Sequence, residues 1–175
     1  AGNHGDLSPG AFGDPTDFYY GGNGTGVLIA SRPRCTEVQR QPPPRTFLSQ
    51  AIVQAESVLG KAIGWMDRIS HRHISDGLSK TFLVGEKHVP FNRIRQFPED
   101  APAFDGDHFP AASRVAGIGA PIAQANSETS PENLIAFGSD HPGSCYFAFA
   151  DGSVRAISNE TNTRTLGFLS HRANQ

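Results

Sequence analysis

The sequence predicts an α+β domain built on an antiparallel sheet, with one or two helices and long loops. Three observations carry that expectation. Asp151-Gly152 stands between two alternating apolar runs, and Asp-Gly in that setting marks a β-hairpin, because a tight turn there needs positive φ. The stretch 46–61 (TFLSQAIVQAESVLGK) sets Phe47, Leu48, Ala51, Ile52, Ala55, Val58 and Leu59 at helical spacing, with Gly60 where a C-terminal cap belongs. The chain also holds 19 Gly and 13 Pro in 175 residues, roughly half again the average usage, so much of it turns rather than propagates.

Taken in order, residues 1–26 have neither helical nor strand period and are expected to be loop. Gly26 to Ala30 is short, apolar and β-branched, as in a buried strand. Three consecutive prolines, Pro42 to Pro44, hold the chain extended ahead of the 46–61 helix. Residues 63–74 fit helix or strand. Thr81 to Val84, after the Ser75-Asp76-Gly77 turn, favours a strand. The stretch 87–133, with prolines at 90, 98, 102, 110, 121 and 131, is expected to be a long surface excursion. Leu134 to Phe137 is a short strand, and the hairpin follows. If Asp151 and Gly152 are its two turn residues, Phe149 faces Val154 and Cys145 faces Ser158. Cys145, Phe147, Phe149, Val154 and Ala156 would then share the core face, with Tyr146, Ala148, Arg155 and Ile157 opposite. The tail 160–172 suits one short helix capped by Asn159 or Thr161.

Composition bounds function. The length suits a single domain spanning 1–175. With a net charge of −2 and scattered basic residues, there is no cationic footprint for nucleic acid or an acidic membrane surface. No apolar run approaches the roughly 20 residues of a membrane-spanning helix, and the polar start is no secretory signal. Cys35 and Cys145 are too few for a zinc module. They either stay free or form a disulfide that closes a loop of about 110 residues and contributes about 4 kcal/mol in the chain-entropy account.

Each chemical candidate meets a plainer reading. His141 and Asp151 invite a shared metal or acid–base site, but an extended strand between them sets them roughly 20 Å apart, so a turn-bracing role suits each better. Asp105 and Asp107, in Asp105-Gly106-Asp107-His108, suit a calcium loop, although the distal glutamate is missing. His71 and His73 would share a face of a strand, but two histidines do not make a zinc site. Ser139-Asp140-His141 has the residue types of a hydrolase triad without a nucleophile elbow. Tyr19, Tyr20 and Trp65 are candidate contacts for a small solute or glycan, against simple packing. Asn23-Gly24-Thr25 and Asn159-Glu160-Thr161 fit the N-glycosylation sequon.

Three segments together resemble a known family. They are HISDGLSKTFLVGE at 73–86, His141 followed after nine residues by Asp151-Gly152, and the terminal LGFLSHRANQ. The chain resembles the C-terminal portion of the bacterial prepilin-type processing-associated H-X9-DG domain family, which also carries unknown-function and solute-binding labels. It departs from the usual pattern in its 46–61 segment and in ending Arg-Ala-Asn-Gln. The resemblance implies an exported, non-catalytic, pseudopilin-like head, displayed in the periplasm or at the cell surface. Its expected role is structural, its partners copies of itself or other subunits of a filament or larger complex, and it needs no cofactor. Members begin with a prepilin leader and a long apolar helix, so this chain is expected to be the head alone. Such a head would have to assemble through another surface, and sheet edges are the natural place.

Overall fold

A computed structural model describes residues 1–5, 24–28, 33–35, 62–65, 69–97, 99–102, 109–127 and 135–173. These residues form a five-stranded sheet and a two-stranded ribbon. The sheet is built from β1 (Gly2–Gly5), β4 (Phe82–Gly85), β5 (Ser113–Val115), β6 (Ser144–Phe149) and β7 (Val154–Ser158), and the ribbon from β2 (Pro33–Cys35) and β3 (Ala62–Trp65). The sheet order is β5-β1-β4-β6-β7. It is mixed rather than antiparallel, because β1 and β5 run parallel. The α+β expectation holds at that coarser level. The expected 46–61 helix lies outside the described residues.

Two corrections concern where strands come from. Residues 2–5, expected as loop, form β1, an interior strand of the sheet. Gly-Asn-His-Gly has no strand propensity, so long-range bonds supply what propensity lacks. Asn3 Nδ2 donates to the Phe82 carbonyl at 2.7 Å and to the Ser170 carbonyl at 2.9 Å, tying β1 both to the adjacent strand β4 and to the C-terminal segment. The 26–28 part of the expected strand is a bend laid against β1, with Gly26 N–H donating to the His4 carbonyl. Part of the supposed surface excursion 87–133 is likewise buried. It supplies β5, the four-residue helix α1 (Phe109–Ala112) and the buried residues Val115, Ala116, Ala120, Ile122 and Ala123.

The hairpin forms, but one residue out of the expected register. Cys145 pairs with Ile157, Phe147 with Arg155 and Ala148 with Val154. Gly152 N–H donates to the Phe149 carbonyl, Phe149 N–H donates to the Ser153 carbonyl, and Gly152 sits at φ +85°. The loop therefore has three residues, Ala150 to Gly152, closed by a left-handed glycine. A one-residue slip exchanges the faces of the second strand. Val154 and Ala156 point outward, Val154 being 66% exposed, while Ile157 packs on the core and Arg155 lays its guanidinium 4.2 Å over the Phe149 ring.

Inside, aromatic packing dominates. Phe82 stacks on Phe147 with ring centres 4.0 Å apart and meets Phe149 edge-on at 5.2 Å, and Phe137 meets Phe147 edge-on at 5.0 Å. Buried Leu166 joins that cluster from α2 (Thr163–Ser170), whose cap is Asn162 rather than Asn159 or Thr161. Gly85 is glycine because the rings leave no room: a Cβ there would lie 2.6 Å from Phe147 and 2.7 Å from Phe137. Residues 136–138 make single bridges to β5 and to the chain on either side rather than a strand, and Leu134 is outside the described residues. His71–His73 form a 3₁₀ turn, so the shared-face reading of those histidines does not hold.

Candidate functional site

Beyond Gly85 the chain leaves the sheet and sends three polar side chains in succession to different partners. Glu86 turns to the His-Pro-Gly-Ser turn before β6. Its Oε2 accepts the Tyr146 N–H at 2.7 Å, and its Oε1 lies 3.2 Å from His141 Nε2. Both carboxylate oxygens are thus occupied as acceptors. The imidazole also meets the Tyr146 ring edge-on at 5.5 Å. His141 was expected to bond within its own turn; its backbone N–H does so, through Ser139 Oγ, but its ring bonds across to Glu86, just past β4.

Asp151 is at the other end of β6, and it braces its own turn as expected. Its Oδ1 accepts the Ser153 N–H at 2.9 Å, and its Oδ2 lies 3.8 Å from Arg155. The Ser153 N–H, with help from the Arg155 charge, holds the Asp151 carboxyl below its ordinary range. His141 and Asp151 are therefore two separate devices. Ser139 Oγ donates to the Ser144 carbonyl at 2.8 Å, so the Ser139-Asp140-His141 run closes a turn.

Lys87 and His88 continue into a shallow cleft of about 240 Å³, lined by both residues with Val89, Ile94, Asp100, Ser139 and Asp140. Lys87 Nζ donates to the Ala101 carbonyl at 2.5 Å, and His88 Nε2 lies 3.0 Å from Ser127 Oγ. Beneath them Arg114 is fully buried, donating to the carbonyls of His88 (3.1 Å) and Ser113 (2.9 Å). Burial pushes Arg114 down to about 10, against the opposing charge of Glu99. Burial and then the Arg114 charge lower both Lys87 and His88, opposed by Asp100 and Asp140 respectively. Sequence reading missed this cluster. Its one signal was Arg114, a lone charge in the small-residue run Ala111-Ala112-Ser113-Arg114-Val115-Ala116.

The other candidates fare unevenly. Asp105, Asp107, Tyr19 and Tyr20 lie outside the described residues, and of Trp65 only the backbone is described, paired with Pro33 across the ribbon. Among the described residues no three His, Cys, Asp or Glu side chains are grouped to hold a metal ion, and no helix is long and apolar enough to cross a membrane. Cys145 is a free, buried thiol, and burial and then the Glu86 charge push it up to about 12; of Cys35 only the backbone is described. Asn159 is 6% exposed, which leaves its sequon inaccessible.

Residues 23–164 match the family model described as protein of unknown function (DUF1559). The chain belongs to that family. The match covers Glu86, His141, Asp151 and Gly152, and hence both ends of β6. No curated protein and no solved structure gives a match. Arg172, beyond the DUF1559 match, closes the fold by donating from its guanidinium to the Gly24 and Gly26 carbonyls, the latter at 2.8 Å.

Proposed function

We propose that this chain is a non-catalytic, pilin-like head of the H-X9-DG type, exported to the periplasm or cell surface, where it serves as a subunit of a larger protein assembly. The observation that supports this reading is the free side of the β6–β7 hairpin. Among the described residues β7 ends the sheet, and Val84, Tyr146 and Val154 are 37%, 45% and 66% exposed on its outer face. The register turns Arg155 and Ile157 toward β6, so the N–H and C=O groups of Val154, Ala156 and Ser158 point away from the sheet. Such an edge is a template for strand addition, and the apolar side chains beside it supply the hydrophobic part of a contact.

The test is a photo-crosslinking side chain at position 154 in the native gene product, with cell fractionation. A crosslink to another envelope protein or to a second copy is expected. Ala156→Pro removes one outward donor without touching the β6–β7 ladder, and it should abolish the crosslink while the head stays folded. Recovery in the cytoplasm without a protein adduct would overturn the proposal. A small-solute or glycan-binding role is the second reading, favoured by the Lys87–His88–Asp140 cleft; saturable heat release on titrating a sugar or amino-acid panel, lost in Lys87→Met, would support it over assembly.

A further inference from the structure

The strongest unexplained surface is the short loop that follows the cleft, Phe91-Asn92-Arg93-Ile94-Arg95-Gln96-Phe97. Phe91, Ile94 and Phe97 are 63%, 49% and 61% exposed. They recur every third residue: Phe91 opens a 3₁₀ turn at 91–93, Ile94 at φ −56° and ψ 131° starts the next turn, and Phe97 follows it. Three large exposed apolar side chains within seven residues are the kind of surface feature that marks a contact. Between them stand Arg93 and Arg95, and the acidic residues that follow are Glu99, which is buried, and Asp100, whose Oδ2 accepts the Arg95 N–H.

Several bonds tie the loop down. The N–H of Phe91 donates to the Ser127 carbonyl, that of Arg93 to the Pro90 carbonyl and that of Gln96 to the Arg93 carbonyl, at 3.1, 2.7 and 2.9 Å. Arg95 N–H donates to Asp100 Oδ2 at 2.6 Å, and Gln96 Nε2 ties back to the Asn92 carbonyl at 3.1 Å. These bonds hold Arg95 at φ +61°, a conformation that a non-glycine residue rarely adopts.

From this combination we infer that residues 91–97 are a membrane-surface contact, with Phe91, Ile94 and Phe97 entering the boundary between headgroups and acyl chains and Arg93 and Arg95 pairing with anionic lipid headgroups. Charge decides the occupant: apolar side chains alternating with arginines match a surface that is apolar below and negative above. The whole chain carries a net charge of −2, so the attraction is local to this loop. The inference stands apart from the assembly reading, because it uses a different surface and neither requires the other.

The test is flotation of the full chain with vesicles of equal parts phosphatidylglycerol and phosphatidylethanolamine, beside vesicles of phosphatidylcholine alone. The chain should float with the anionic vesicles only, and high salt should weaken that binding. Phe91→Ser with Phe97→Ser should lower partitioning about tenfold or more, as apolar area leaves the interface. Arg93→Gln and Arg95→Asn should each lower it roughly fivefold; asparagine tolerates the left-handed backbone at 95, so that loss is not a strain effect. Unchanged circular dichroism is expected, since Phe91, Arg95 and Phe97 are exposed and Arg93 is half-buried. Failure to float with anionic vesicles, or undiminished flotation of the double serine variant, would overturn the inference. So would a wild-type chain that self-associates without lipid and becomes monomeric in that variant, because the loop would then be a protein contact.

Discussion

The two ends of β6 carry the motif residues of this chain, and they hold the molecule in different ways. At the His141 end the bonds of the carboxylate are long-range: Glu86 of the β4 exit reaches across to the Tyr146 N–H and to His141, some 60 residues away in sequence. At the Asp151 end the side-chain bonds are local: Asp151 serves Ser153 and Arg155 within one turn, and Gly152 closes it at positive φ, while only backbone bonds, from Ala150 to Thr81 and from Asp151 to Leu78, reach farther. At one end a side chain joins separate parts of the chain, while at the other the side chains only brace a reversal of direction. Spacing of nine residues between His and Asp therefore records the length of a strand and its turns.

The comparison predicts an ordered series of losses. The largest is expected at Gly85, where the β4 exit passes under the aromatic stack. Gly85→Ala would drive a methyl against Phe147 and Phe137, both held by ring packing, and should destabilise by about 2–3 kcal/mol in urea unfolding. A loss under about 0.5 kcal/mol would mean that the stack yields, and would deny the His141 end its rigidity. Next comes Glu86→Ala, which leaves the Tyr146 N–H without its carboxylate. With Glu86 partly exposed, about 1–2 kcal/mol is expected. Glu86→Gln should recover part of it, because one amide oxygen still accepts from Tyr146. Gly152→Ala follows at about 1 kcal/mol: a Cβ there meets nothing, so the loss comes from φ +85° alone. If Gly152→Ala proved worse than Glu86→Ala, the ranking of the two ends would be reversed.

How much of this was legible in the sequence follows the same division. Local signals were readable: Asp151-Gly152 announced the hairpin, Thr81 to Val84 the neighbouring strand, and the tail its helix. The register was not, because Asp-Gly serves both a two-residue turn and the last two positions of a three-residue one, and only the pairing of Phe149 with Ser153 distinguishes them. β1 was invisible for a stronger reason. Gly2 to Gly5 carries no β-branched or aromatic residue, and its place in the sheet is set by Asn3 bonding to Phe82 and Ser170, at sequence separations of 79 and 167. The same holds for the candidate site. His141 and Asp151 could be told apart by counting residues along a strand, but the Glu86 partner and the Arg114-centred cleft arise only when distant segments meet.

The smallest expected effect isolates the charge at the local end. Ser153 N–H and Arg155 favour the ionised Asp151 carboxylate, so its folded-state pKa lies below the unfolded value of about 3.8. The unfolded chain then holds more of the proton between those two values, and stability rises with pH through that window. Its contribution is present above the unfolded pKa and is lost as acid carries the pH down through the folded one. Asp151→Asn keeps an oxygen for the Ser153 N–H and removes only the charge. The variant should therefore melt slightly below the wild type at neutral pH, and the gap should close on acidification, with salt narrowing it because the group is exposed. Melting curves that stay parallel from neutral pH into acid would show that Asp151 acts as a hydrogen-bond acceptor alone. The motif aspartate would then be a turn-former whose charge is incidental, while Glu86 at the opposite end keeps a charged role that glutamine cannot fully replace.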